Sequence, residues 1–219
     1  MKKFLIYAVV LLVLFAAGSA HASLSFDPSN TFSGIAPAGS LTADFTDIAG
    51  GVQLVITSNL APGENLDPGR SLYFNINPSK DSILQNLSFT LTGNTNFNQQ
   101  ATVLTGADSF KADGDGYYDI NFTFSSSTKA FTAGESQTYK ITTSSGTISA
   151  SDFINYLSST GGGNGNWLAA VHMQNTPSGG SGSAWVGATV TPVPIPAAAW
   201  LFGPGLLGLV GARKRMHQV

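Results

Sequence analysis

Hydrophobic and polar residues alternate with a period of two over much of the chain between Leu41 and Val190. Leu41, Ala43 and Phe45 alternate with Thr42, Asp44 and Thr46, and Ala49-Gly50-Gly51 then turns the chain into Val52-Gln53-Leu54-Val55-Ile56-Thr57. Two such runs around a glycine turn predict a hairpin. Leu72, Phe74 and Ile76 form a further run, which Asn77-Pro78 stops. Leu87, Phe89 and Leu91 repeat the pattern up to Gly93-Asn94; Tyr118, Ile120, Phe122 and Phe124 repeat it again, followed by Tyr139 with Ile141, Trp167 to Met173 and Ala184 to Val190. About eight to ten strands separated by Gly, Asn and Pro turns predict an all-β fold, an antiparallel two-sheet sandwich of jelly-roll type. One short helix is expected from Asp152 to Leu157, with Ser151 as N-cap and Phe153, Ile154 and Leu157 on one face. Glycine-rich stretches at Gly161–Asn166 and Pro177–Ser183 flank the Trp167–Met173 strand and suggest an edge or rim position for it.

The two ends break this pattern. Lys2 and Lys3 precede an uncharged run from Phe4 to Gly18, and Ala20-His21-Ala22 follows. Basic start, apolar run and A-x-A site are the parts of a secretory signal peptide, which puts the mature start at Ser23. The run is about 15 residues, short of the roughly 20 that a permanent span needs. At the other end Pro196 to Ala212 is uncharged and mostly apolar, and Arg213-Lys214-Arg215 closes it. As a helix it would rise about 25 Å, enough for a marginal membrane span with the basic cluster on the cytoplasmic side. The chain therefore divides into a signal peptide (1–22), a β-sandwich domain (23–191) and a C-terminal membrane segment (192–219).

Val193-Pro194-Ile195-Pro196-Ala197, the Gly/Leu-rich span after it and the basic tail resemble, in that order, the VPLPA variant of the PEP-CTERM sorting signal, with Ile195 where that variant usually carries Leu. The resemblance implies recognition by an exosortase, an integral membrane protease/transpeptidase that cuts at or near the proline motif. It makes Pro194 and Pro196 the recognition residues and Arg213, Lys214 and Arg215 the retention signal. A Pro-x-Pro segment is extended and free of internal hydrogen bonds, which suits a peptide-cleaving groove. Lys111–Ile120, Thr132–Ile141, Ile148–Phe153, Ala169–Gln174 and Ser183–Ala188 also resemble stretches of exported proteins with this signal. That family implies surface or extracellular delivery in an exopolysaccharide and biofilm context, with exopolysaccharide as a partner.

Composition narrows the chemistry. The formal net charge is −2, with 10 Lys+Arg against 12 Asp+Glu. Five of the basic residues lie in the two ends, so the middle carries five basic against twelve acidic residues, a net of −7. Such a domain has no basic footprint for nucleic acid. The absence of cysteine excludes disulfides, thiolate metal sites and a cysteine nucleophile.

Asp113-Gly114-Asp115-Gly116-Tyr117-Tyr118-Asp119 has two readings. Asp113, Asp115 and Asp119 around glycines suit a hard cation such as calcium, yet Tyr117, Tyr118 and Phe124 stand where an EF-hand loop needs a ligand, a glycine and a bidentate glutamate. Asp-Gly before a strong strand equally signals a plain hairpin turn. His172 is the sole histidine between Ser23 and Thr191, so a multi-histidine metal centre is excluded. Alternation puts it on one strand face with Ala170 and Gln174, opposite Ala169, Val171 and Met173. It has no charged neighbour in sequence, and a hydrogen-bonded sheet histidine and a ligand-binding one both fit. Tyr73, Tyr117, Trp167 and Trp185 suit either core packing or sugar stacking. No G-x-S-x-G elbow and no local carboxylate pair for glycoside hydrolysis stand out. The expectation is a structural or adhesive surface protein without catalytic residues or a required cofactor, then a carbohydrate- or calcium-dependent binding module, then a secreted hydrolase.

Overall fold

The computed structural model describes residues 21–97, 99–124, 130–159 and 166–191. They form thirteen strands: β1 (His21–Phe26), β2 (Thr31–Gly34), β3 (Ser40–Ile48), β4 (Gly51–Asn59), β5 (Asn65–Leu66), β6 (Leu72–Phe74), β7 (Leu87–Thr95), β8 (Thr102–Ala112), β9 (Gly116–Thr123), β10 (Ser136–Thr143), β11 (Ala169–Thr176), β12 (Gly182–Gly187) and β13 (Thr189–Thr191). The first sheet has the order β13-β1-β3-β4-β10-β7. The second runs β2-β12-β11-β6-β9-β8, with β5 added against β11. The paired strands are antiparallel throughout both sheets.

The hairpin expected around Gly50 is β3–β4, with Phe45 opposite Leu54 and Ile48 opposite Gly51. Gly50 takes a φ of 76°, a left-handed value that glycine adopts without the Cβ penalty. Inward-facing residues of both sheets meet in one core that includes Leu24, Phe45, Ile56, Phe74, Phe122 and Tyr139. Aromatic rings join the two layers edge to face: Phe45 on Phe74 at 5.4 Å and Phe89 on Phe122 at 5.4 Å. Edge-to-face contact sets a positive ring edge against a negative ring face, which adds to the area term. The outer face of the first sheet is polar, as a half-solvated antiparallel sheet requires.

Several boundaries differ from expectation. The only helical turn near 152–157 is a 3-10 turn at Ala150–Phe153. Asp152 accepts the Ser149 backbone N–H at 2.9 Å and the Ser149 hydroxyl at 3.0 Å, so the turn starts one pair of residues earlier and stops before Leu157, which is 57% exposed. The strand expected from Trp167 begins at Ala169, and β11 is interior, flanked by β12 and β6. The run from Ala184 to Val190 divides into β12 and β13, which belong to different sheets. Of the expected signal peptide (1–22), residues 1–20 lie outside the described residues, as does the segment 192–219, while His21 and Ala22 open β1 and Ala22 is buried. Among the described residues no helix is long and apolar enough to cross a membrane.

Candidate functional site

The Asp113–Asp119 segment covers the turn between β8 and β9, with Gly114 at a φ of 97°, and the first residues of β9. Its carboxylates go to three places. Asp115 points inward and is 1% exposed. It accepts hydrogen bonds from the Tyr118 hydroxyl (2.5 Å), the Ser158 hydroxyl (2.5 Å) and the Asn166 backbone N–H (2.8 Å). Burial, then the bond to Asp115, pushes the Tyr118 phenol well above its ordinary pKa. Asp119 accepts from the backbone N–H groups of Ile76 (3.0 Å) and Asp108 (2.9 Å). Burial raises its pKa; those two N–H groups oppose the rise, and the charges of Asp81 and Asp108 add to it. Asp113 stays at the surface, 3.7 Å from Arg70. The calcium reading needs these carboxylates together, and the fold separates them. Among the described residues no three acidic or histidine side chains gather to hold a metal ion.

His172 sits as alternation predicts: Ala169, Val171 and Met173 enter the core and His172 is on the outer face of β11. Its charge partner is Asp67, 105 residues away, with Oδ2 at 2.6 Å from Nδ1. Gln174 donates to the same oxygen at 3.0 Å, while Gly69 and Arg70 N–H groups donate to Oδ1 at 2.6 and 3.2 Å. Burial alone would raise the Asp67 pKa, but the Gly69 N–H and the imidazole hold it below the ordinary value. The His172 ring stacks on Trp185 at 4.6 Å. Trp185, Tyr73, Tyr118, Ala170 and Ala112 form a second small apolar cluster on this outer face, with Phe32 and Phe110 packed against it. Tyr73 and Trp185 are only 4% and 3% exposed, so neither offers a ring face to a ligand. Trp167 lies over Gly187, where a Cβ would fall 2.0 Å from the indole. Trp167 and Tyr117 are half-buried, and the Lys111 ammonium stands 5.9 Å above the Tyr117 ring.

For catalysis the arrangement supplies little. No serine or threonine hydroxyl among the described residues hydrogen-bonds His172, so a nucleophile–base pair is missing there. Asp81, Asp108 and Asp119 line a cleft of about 140 Å³ beside Tyr156 and Leu157, well under the ~300 Å³ of ordinary ligand sites. Sequence spacing hid this grouping because the residues come from the segment after Pro78, from β8 and from β9. A second, open cleft of about 480 Å³ is lined by Asp47, three glycines, Ile48, Ile148 and short hydroxyl residues. The first and last strands, β1 and β13, pair at one edge of the first sheet, with Ser23 opposite Thr191.

The described domain is thus an all-β, two-sheet antiparallel protein. The chain matches no protein-family model, no curated protein and no solved structure.

Proposed function

We propose that this chain is an exported surface or matrix protein of PEP-CTERM type with a non-catalytic sandwich of jelly-roll kind. In this reading a signal peptide ending at Ala22 starts export, and the segment from 192 to 219 holds the chain in the inner membrane with the domain outside. An exosortase then cuts at or near Val193–Ala197, and the domain serves as a structural or adhesive component at the cell surface or in an exopolysaccharide matrix. One observation carries the reading. Ser23, the first residue after the expected signal cleavage, pairs with Thr191, the last residue before the proline segment. Both processing points therefore lie on one neighbouring strand pair of one sheet; the Ala22–Ser23 bond is inside β1 with Ala22 buried, so the first cut belongs before β1 closes on β3, while the second leaves the core untouched. Cleavage after Ala22 would remove the pairs His21–Thr46 and Ala22–Phe45 and keep those from Ser23–Asp44 to Phe26–Leu41. β13 is three residues long and exposed along its length, so tension on it reaches few buried contacts.

Intact mass spectrometry of the protein from its producing cells, with and without the exosortase gene, tests this. The expected product starts at Ser23 and ends near Pro192–Ala197 only when the exosortase is present. A chain retained through Val219 in its presence would overturn the processing.

A further inference from the structure

The outer face of the first sheet carries one row that sequence order conceals. Strand register places Thr189 beside Ser25, Ser25 beside Thr42, Thr42 beside Thr57, Thr57 beside Ser136 and Ser136 beside Thr95. Every strand of the sheet contributes one hydroxyl residue, from β13 across to β7. At about 4.8 Å between strands the row is roughly 24 Å long. All six residues are at least partly solvent-exposed. None of the six hydroxyls is hydrogen-bonded to another described residue, unlike Thr46, which bonds His21, and Thr92, which bonds the Thr138 carbonyl.

Threonine is a good strand former, and that accounts for any one of these positions. What propensity leaves aside is their alignment, one on each of six neighbouring strands in a continuous uncharged strip. The row carries no charge, the parallel row beside it, Thr191, Ser23, Asp44, Val55, Thr138 and Gly93, carries one, and the next carries Lys140 beside Gln53 and Thr90. The twelve carboxylates of a domain at −7 are almost all elsewhere.

We propose that this row is a docking surface for an uncharged, extended polysaccharide. The inference rests on the matrix reading above and names the ligand class and the face that takes it. Each free hydroxyl both donates and accepts, so the complementary ligand presents hydroxyls of both kinds at close intervals. A row with no charge gives no advantage to a polyanion, which the domain's net charge also repels, nor to a cation, which finds its partners among the carboxylates. A peptide strand would use a sheet edge instead of a face.

Affinity electrophoresis of the purified full-length protein in detergent, through gels containing hydroxyethylcellulose, dextran or alginate, is the test. Retardation is expected with at least one of the two neutral polymers and not with alginate. The combined variant Thr42→Val, Thr57→Val, Ser136→Ala keeps strand propensity, and loss of three hydrogen bonds should weaken retardation about tenfold or more. Thr57→Lys, which needs no multiple substitution to fold, should weaken it comparably, while Thr102→Val on the other sheet should not. Absence of retardation by both neutral polymers, or equal retardation of both row variants, would overturn the proposal. So would a concentration-dependent doubling of mass, lost in the row variants, since the occupant would then be a second copy. A correctly cut protein that ignores both polymers removes this proposal alone; an uncut protein that they retard removes the sorting reading alone.

Discussion

Replacing Glu64 by glutamine should destabilise the folded domain through the loops at one end of the sandwich. Glu64 is fully buried. One carboxylate oxygen accepts the backbone N–H groups of Ala38 (2.6 Å) and Ser178 (3.0 Å), and the other those of Gly39 (3.0 Å) and Ala61 (3.0 Å). Three loops distant in sequence are therefore tied to one anion. Burial alone would raise the Glu64 pKa, but the four N–H groups bring it below its ordinary 4.5. Glutamine keeps the shape and turns one acceptor into an NH₂ group that faces two donors. Two N–H groups left without an acceptor cost about 1 to 3 kcal/mol each, and since three of the four bonds are only part-buried the lower half applies, about 2 to 4 kcal/mol for the two. For a domain of this size that lowers the thermal midpoint by about 4 to 16 °C. Urea unfolding at pH 7 should give the same loss with an unchanged slope. Acid supplies an internal check. A carboxylate whose folded pKa is depressed stabilises fully above its unfolded value, and that contribution disappears as the pH falls through the folded one. The gap between wild type and Glu64→Gln should thus close at low pH, where the protonated acid also offers a donor. A loss under about 1 kcal/mol at pH 7, or a gap independent of pH, would refute the reasoning.

Other substitutions probe other parts of the molecule. Asp115→Ala should cost about 2 to 4 kcal/mol by orphaning the Tyr118 and Ser158 hydroxyls and the Asn166 N–H, while Asp113→Ala, in an exposed pair with Arg70, should stay within about 0.5 kcal/mol. Millimolar calcium should leave the thermal midpoint of the wild type unmoved, since the three carboxylates stand apart; a clear rise lost in both variants would contradict this. Gly187→Ala should displace the Trp167 indole and shift its fluorescence to the red; an unchanged spectrum would contradict the close approach. Phe45→Ala removes a ring stacked on Phe153 at 5.1 Å and edge-on to Phe74, and should cost about 3 to 5 kcal/mol in denaturant. Asp119, with its pKa raised, destabilises the fold as the pH climbs through that raised value; Asp119→Asn should flatten this part of the stability–pH curve, and an unaltered curve would contradict the assignment.

What could be read in advance followed from local signals. The β3–β4 hairpin was legible because alternation and a glycine turn lie within a few residues of each other, and the two faces of β11 followed from the same period. β8 was not, because the ladder slips between Thr105 and Phe110 and Asp108 takes a left-handed φ of 47°, so polar residues interrupt the pattern. The break after β12 was hidden as well: alternation continues in phase from Ala184 to Val190, but the Ala188 N–H bonds the Ala169 carbonyl at 2.9 Å as the chain leaves one sheet for the other. Partners separated by long stretches, such as His172 and Asp67 or Glu64 and Ser178, depend on sheet order, which no local period encodes. The hydroxyl row belongs to the same class, since its six members lie on six strands.

A single physical economy links these features. A domain without cysteine must hold its loops by other means. Here buried carboxylates do so: Glu64 ties the loops at Ala38, Ala61 and Ser178, Asp115 joins the β8–β9 turn to Ser158 and Asn166, and Asp152 caps its own turn while accepting from Asn77 at 3.2 Å. Buried acceptors that take several backbone N–H groups are stable as anions, so an acidic composition is partly a structural requirement and not only a surface property. The same distribution keeps charge in the loops and at the second sheet and leaves the widest face of the first almost neutral. Cross-links made of carboxylates fail in acid where disulfides would not. The acid sensitivity of the Glu64 network and the neutrality of the hydroxyl row are accordingly two consequences of where twelve acidic residues were placed.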